Sequence, residues 1–205
     1  MKFYPRNIVE KARKLKKKGL SAKKIGKQLG VGDNTILRWC IDISSNNPTH
    51  LLYQRWRVKI KKKGISSVNN FSLTPKMAKI LASTLYWCEG ARYPSSNFVG
   101  FSNSDALLVK TFLEVFRKGF KPKENKIKAH LQLHTTHDKE KMTTFWSKLL
   151  KIPKTHFYKP TITPPTGRMK RYNYKGTCTI RYYDLSTLLE MVGIYDGLAR
   201  KIFKK

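Results

Sequence analysis

Ile80-Leu81-Ala82-Ser83-Thr84-Leu85-Tyr86-Trp87-Cys88-Glu89-Gly90 is a run of nine apolar or small residues that ends in a carboxylate. Nine such residues are too few to span a bilayer, which takes about 20, so the run predicts a buried helix. Gly90 is its expected left-handed stop. Glu89 then stands at the negative end of the helix dipole, where a carboxylate is disfavoured by roughly 0.3–1 kcal/mol. Solubility does not explain it, because the 205 residues hold 43 Lys+Arg against 12 Asp+Glu, a formal charge of +31. A cation or a chemical task does.

The other carboxylates have ordinary explanations. Asp33, Asp105, Asp138 and Asp184 fall at helix starts, where capping accounts for them. Glu10, Glu114, Glu140 and Glu190 lie within helices and can pair with nearby lysines. Asp42 and Glu124 border loops. Asp196 is expected just past the last helix, a weaker anomaly of the Glu89 kind. Between Met77 and Cys88 the sole charge is Lys79, and Ala78, Ala82, Ser83, Thr84 and Cys88 are small. A helix of this kind packed on a copy of itself would bring two Glu89 carboxylates together. They would repel unless they shared a proton or a cation, and beside phosphates that cation is Mg²⁺.

At 40% hydrophobic and 12% aromatic the chain has enough apolar matter for a core, which excludes a disordered basic tail. The excess of cations points to a polyanion, nucleic acid first. Cys40, Cys88 and Cys178 are widely spaced with no CxxC, so neither a disulfide framework nor a zinc finger is expected. Free thiols and an N-terminus without an apolar signal region predict a cytoplasmic, nucleoid-associated protein with no membrane span. No Walker loop, GxGxxG or GxSxG occurs.

Residues 1–45 predict a helix-turn-helix DNA-binding domain. A basic helix over 6–18 stops at Gly19. Ser21 caps Ala22 to Leu29, Gly30-Val31-Gly32 turns, and Asp33 caps a third helix from Asn34 to about Ile41. Ile25, Leu29, Val31, Ile36 and Trp39 fit its small core, and Gly26 is small where two helices cross. Asn34, Thr35, Leu37 and Arg38 are then the groove-facing residues, with lysines on phosphates. Residues 46–72 read as a basic linker. Its alternating centre, Tyr53 to Lys63, predicts a strand or arm tracking a DNA backbone through Arg55 and Arg57; a solvated charge run is the alternative.

From 73 to 198 the pattern predicts an α+β domain, a mixed sheet with helices on one face, followed by a basic tail, 199–205. Helices are expected over 76–88, 105–118, 138–150 and from about 185. Strands are expected near 98–102, 126–134, 157–163 and 177–183. Strand 126–134 alternates. Ile127, Ala129, Leu131 and Leu133 belong under the helices. Lys126, Lys128, His130, Gln132 and His134 form an open face, continued by Thr177, Thr179 and Arg181 and by Lys159, Thr161 and Thr163. No carboxylate appears among them, which suits contact with DNA.

Three segments carry a resemblance. Thr84-Leu85-Tyr86-Trp87-Cys88-Glu89-Gly90 resembles the second part of a LAGLIDADG motif, with Thr84 and Cys88 at the helix contact. Phe101-Ser102-Asn103-Ser104-Asp105-Ala106-Leu107-Leu108 resembles that family's strand and Asn-x-Asp turn. Thr179 to Leu189 resembles its final strand and helix. The first unit similarly resembles the helix-turn-helix of resolvases and transposases. The LAGLIDADG resemblance implies a sheet saddle on duplex DNA and, with one motif, a homodimer through helix 76–89. It implies a homing endonuclease that hydrolyses phosphodiesters with Mg²⁺, Glu89 as catalytic and metal-binding acid, and Arg92 aiding the charged transition state. Thr84 and Trp87 are bulkier than the family pattern. The appended helix-turn-helix sets beside this a second expectation, a non-catalytic transcriptional regulator with a degenerate LAGLIDADG domain.

Overall fold

The computed structural model describes residues 4–43, 48–91, 93, 95–165 and 174–203, with backbone alone at 48–50. The chain divides into two compact units, Met1–Phe71 and Ser72–Lys205.

In the first unit α1 (Arg6–Lys17), α2 (Ala22–Leu29) and α3 (Asp33–Trp39) enclose Ala12, Ile25, Val31, Ile36 and Cys40. Ser21 Oγ accepts from the Lys24 amide at 3.3 Å to start α2. Gly30 ends it in a left-handed conformation, φ 64°, which suits glycine. A Cβ on Gly26 would lie 2.5 Å from the Val31 carbonyl oxygen, so the turn closes directly on the α2 backbone. Gly32, not Asp33, is the residue before α3; Asp33 is its first helical residue. The Arg13 guanidinium grips the Asp42 carboxylate at 2.8 and 2.5 Å and so ties α1 to the chain beyond α3.

The strand suggested within 46–72 is instead a helix, α4 (Pro48–Ser66), whose cations are exposed as in the charge-run alternative. Its alternation of Arg, Trp, Arg, Val, Lys and Ile suggested a pleat. Among the described residues no strand pairs with it and every side chain described from 51 to 66 is exposed, so no burial enforces that period. Local preference then decides: Pro48 suits a first helical position, and Leu, Gln, Lys and Arg are good helix formers.

The second unit is α+β. Its sheet runs β1-β4-β2-β3, with β1 Val99–Asn103, β2 Ile127–His134, β3 Thr161–Thr163 and β4 Thr177–Tyr182. β4 is antiparallel to both neighbours, and β2 and β3 are parallel. That parallel pair requires a crossover, supplied by α7 (Lys139–Leu150). The remaining helices are α5 (Pro75–Glu89), α6 (Ala106–Phe120) and α8 (Leu185–Phe203). The core interleaves Ile127, Ala129, Leu131, Leu133, Cys178 and Ile180 of the sheet with Ala78, Ala82, Tyr86, Phe112, Phe116, Trp146 and Met191 of the helices. Phe101 stacks on Phe112 at 4.0 Å.

α8 runs through Asp196 and into the expected tail, so Asp196 is mid-helix. Gly193 and Gly197 do not stop it, because Leu188, Met191 and Tyr195 keep its apolar face buried. Lys159 falls in the extended approach to β3, which is shorter than expected. Among the described residues no helix is long and apolar enough to cross a membrane.

Candidate nucleic-acid interface and the Glu89 corner

Thr74 Oγ1 accepts from the Met77 amide at 3.2 Å and starts α5 with Pro75 at its first position. The small side chains of Ala78 and Ala82 allow close packing. A Cβ on Gly119 of α6 would sit 2.7 Å from the Lys79 amide nitrogen, so the two helix backbones nearly touch. Ala78, Ala82, Ser83 and Tyr86 are buried, while Met77, Trp87, Cys88 and Glu89 are exposed. Trp87 lies flat on Tyr195 of α8, 5.3 Å between rings.

Gly90 is not the left-handed stop expected of it; its φ is −80° and ψ 156°. It bridges to Phe101, and the Ala91 amide donates to the Gly100 carbonyl at 2.8 Å, so the chain leaves α5 as an extended partner of β1. Glycine is required there for space. A Cβ would lie 2.4 Å from both the Tyr86 ring and the Tyr86 carbonyl oxygen. The Tyr86 hydroxyl donates to the Ala91 carbonyl at 2.6 Å and closes the corner.

Glu89 is thereby set at the end of β1. Asn103 Nδ2 donates to its carboxylate at 3.1 Å, and Asn103 Oδ1 accepts from the Asp105 amide at 2.8 Å. Asp105 in turn caps α6 through the Leu107 and Leu108 amides at 2.9 and 3.2 Å. Asn103 was not among the expected site residues; its place in an Asn-x-Asp turn was the available signal. Most other carboxylates have a cation. Glu10 pairs with Arg6, Asp42 with Arg13, Glu190 with Lys79, Glu124 and Glu114 with Arg117, and Glu140 with Lys154. Among the described residues Glu89 has none. Arg92, its expected helper, lies outside the described residues.

The fit of Mg²⁺ follows from the donor set. Among the described residues no group of three or more His, Cys, Asp and Glu side chains could hold a metal ion. At this corner Glu89 presents its carboxylate, and the Asn103 oxygen is already engaged. Two Glu89 carboxylates brought together would suit a hard divalent cation.

The free face of the sheet is built in registered rows. Gly100, Arg181 and Lys128 form one, and Ser102, Thr179 and His130 the next. Thr177, Gln132 and Thr161 follow, then His134 and Thr163. Ser102 and Thr179 hydroxyls meet at 2.8 Å, and His130 Nε2 meets Thr161 Oγ1 at 2.9 Å. Burial, then the Arg181 charge, lowers the His130 pKa, so its ring acts as a neutral hydrogen-bonding group. His134 packs near His137 and Tyr174. His137 Nδ1 accepts from the His134 amide and its Nε2 donates to the Tyr174 carbonyl, which leaves neither nitrogen for a metal.

Arg181 is held between Phe98 and Tyr158, 5.7 Å from each ring centre. Its Nε is buried without a partner among the described residues. Beside it opens a hollow of about 370 Å³ lined by Tyr93, Ser95, Ser96, Ser102 and Thr179. Tyr158 and Tyr183 share a hydrogen bond that raises Tyr158. Burial works to raise Tyr183, but its bonds to Tyr158 and Arg181 outweigh this and lower it. Phe98 and Tyr158 fall within the expected strands 98–102 and 157–163, but the open face is drawn from polar residues, so neither ring is counted in it; both lie just outside β1 and β3.

Lys126 is a correction to the open face. It ends a 3-10 turn before β2 and pairs with Asp184 at 3.9 Å. The Ser186 hydroxyl and Thr187 amide, with Lys126 further off, hold the Asp184 carboxyl at about 2. In the first unit Asn34, Leu37 and Arg38 are exposed on α3 and Thr35 is half-buried. Arg55 and Arg57 are exposed on α4. Comparison with known proteins finds no matching family model, no similar curated protein and no similar solved structure.

Proposed function

We propose that this chain binds duplex DNA sequence-specifically and, as a homodimer through α5, hydrolyses phosphodiester bonds with Mg²⁺ in the manner of the LAGLIDADG endonucleases it resembles. The observation that carries DNA binding is the free face of the sheet. Four rows of hydroxyl, amide, imidazole and guanidinium groups lie in register on β1, β4, β2 and β3 without a carboxylate. An ordinary solvated face mixes both charge signs; this one suits phosphates and base edges. The exposed Asn34, Leu37 and Arg38 of α3 suit a second groove contact.

Catalysis rests on Glu89. Among the described residues it stands without a cation, oriented by the Asn103 amide. Glu89 from each of two copies would hold Mg²⁺, which supplies positive charge to the oxygens of the phosphate under attack. The test is cleavage of a plasmid library containing the native locus, with Mg²⁺, by wild type and Glu89→Gln. Cutting by wild type and none by the variant is expected. A wild type that binds the library and leaves it uncut would end the nuclease reading.

The second reading, a DNA-binding regulator without cleavage, is favoured by the first unit, three small helices with Asn34, Leu37 and Arg38 exposed on α3. Under it Glu89→Gln leaves DNA binding and promoter control unchanged.

A further inference from the structure

α4 stands where the sequence suggested a strand or arm along a DNA backbone, and as a helix its chemistry is still not that of a spacer. Six cations, Arg55, Arg57, Lys59, Lys61, Lys62 and Lys63, lie on it, and the sequence holds no carboxylate between Asp42 and Glu89. Among the described residues none of the six is in an ion pair. Arg55 and Lys59, Arg57 and Lys61, and Lys59 and Lys63 are like-charge neighbours at i,i+4, each unfavourable by roughly 0.2–0.5 kcal/mol in a helix. At 100° per residue these cations are spread around most of the helix circumference.

The apolar residues are also divided. Leu52, Tyr53, Trp56 and Ile60 share one face, and Leu51, Val58 and Ile65 the opposite one. All are exposed, Trp56 at 55%. Tyr53 and Trp56 stack at 5.7 Å, with Arg57 over Tyr53 at 5.8 Å. A helix lying on a membrane surface needs one apolar face, and α4 has two on opposite sides. A second copy of α4 would set six positive charges against six more. Phosphates on both flanks of a groove meet cations on both flanks of a helix, and the like-charge strain is relieved when they do.

We infer that α4 is a DNA-contacting helix, laying Arg55, Arg57, Lys61 and Lys62 on the phosphates of the duplex. This rests on the DNA-binding reading above. The contact is sequence-independent, adds affinity and salt dependence, and leaves base readout to the other elements.

The test uses the full chain and a labelled mixed-sequence duplex, read by fluorescence anisotropy over a salt series. Arg55→Gln, Arg57→Gln, Lys61→Gln and Lys62→Gln are combined, since glutamine keeps helix propensity and circular dichroism checks that helicity is unchanged. A control removes four charges from the helical side of the second unit, Lys118→Gln, Lys121→Gln, Lys139→Gln and Lys148→Gln. The α4 variant is expected to bind at least about tenfold more weakly, with a log K against log[salt] slope smaller by about 2–4, at 0.9 per phosphate. The control should lose much less. If wild type fails to bind the duplex at all, the DNA reading falls and takes this inference with it. If wild type binds and the α4 variant matches it, or loses no more than the control, the inference alone falls. Binding to phosphatidylserine vesicles that the α4 variant loses while duplex affinity is kept would assign the helix to a lipid surface instead.

Discussion

Asn103 Nδ2 donates to the Glu89 carboxylate at 3.1 Å, joining the last residue of α5 to the last residue of β1. The same amide's oxygen is fixed by the Asp105 backbone, so the donor cannot rotate away without losing a second bond. Asn103 is therefore a positioning residue for the acid.

Asn103→Ala leaves the Glu89 side chain in place but free to swing. In a cleaving dimer it should raise the Mg²⁺ concentration needed for half-maximal activity about 10–100-fold, the usual cost of losing a group that orients a ligand. Duplex affinity without metal should hardly change. An unaltered Mg²⁺ dependence would show that Asn103 serves the turn alone.

Arg181 lies between the Phe98 and Tyr158 rings in the first row of the free face. Arg181→Ala should weaken duplex binding by about 1–3 kcal/mol if it reads a base edge. Arg181→Lys should restore little, because a point charge cannot reproduce a stacked planar fork. Full restoration by lysine in a competition assay would reduce its role to a phosphate charge.

Gly90→Ala is expected to destabilise the second unit by about 1–3 kcal/mol, as overpacking does. The cause is the Tyr86 ring and carbonyl 2.4 Å from the new methyl, not the backbone angle, which alanine adopts freely. Denaturant melts of Gly90→Ala alone and with Tyr86→Leu separate the two. Strain that persists undiminished in the double variant contradicts the packing account.

Ser83 is fully buried on α5, and its hydroxyl has no partner among the described residues. Ser83→Ala removes an unsatisfied group and should raise stability by about 1 kcal/mol. A loss of stability in urea unfolding would mean the hydroxyl is bonded after all.

His130 has its pKa lowered by burial and by Arg181. Its stabilising contribution is therefore complete above its unfolded value, about 6.5, and is lost as pH falls through the lower folded value, where the unfolded chain binds the extra proton first. Wild type should lose stability on acidification in that window. His130→Gln, which can keep a bond to Thr161, should lose less. Parallel pH profiles for the two proteins would refute the assignment.

The α+β class was legible because its signals are local. Strand 127–134 alternates without a break, α6 and α7 repeat their apolar residues at helical spacing, and Asp105 and Asp138 stand at the caps. Three small helices around Ile25 and Ile36 were readable for the same reason. For α4 the sequence left a strand or arm beside a solvated charge run; the strand was suggested because its residues alternate by type, although no described strand pairs with it. Alternation implies a strand only when one face is buried.

Sequence alone determined the cation excess, the placing of Glu89 at the end of a largely apolar helix, and which residues of β2 and β4 share a face. These depend on composition and on periods of 2 and 3.6. The tertiary structure decided that Gly90 is needed for space and not for its angle, that Asn103 holds Glu89, and that Arg181 lies between Phe98 and Tyr158. Each of those joins residues distant in the chain or turned by a corner, and no local period encodes such a meeting; it exists once the core has packed.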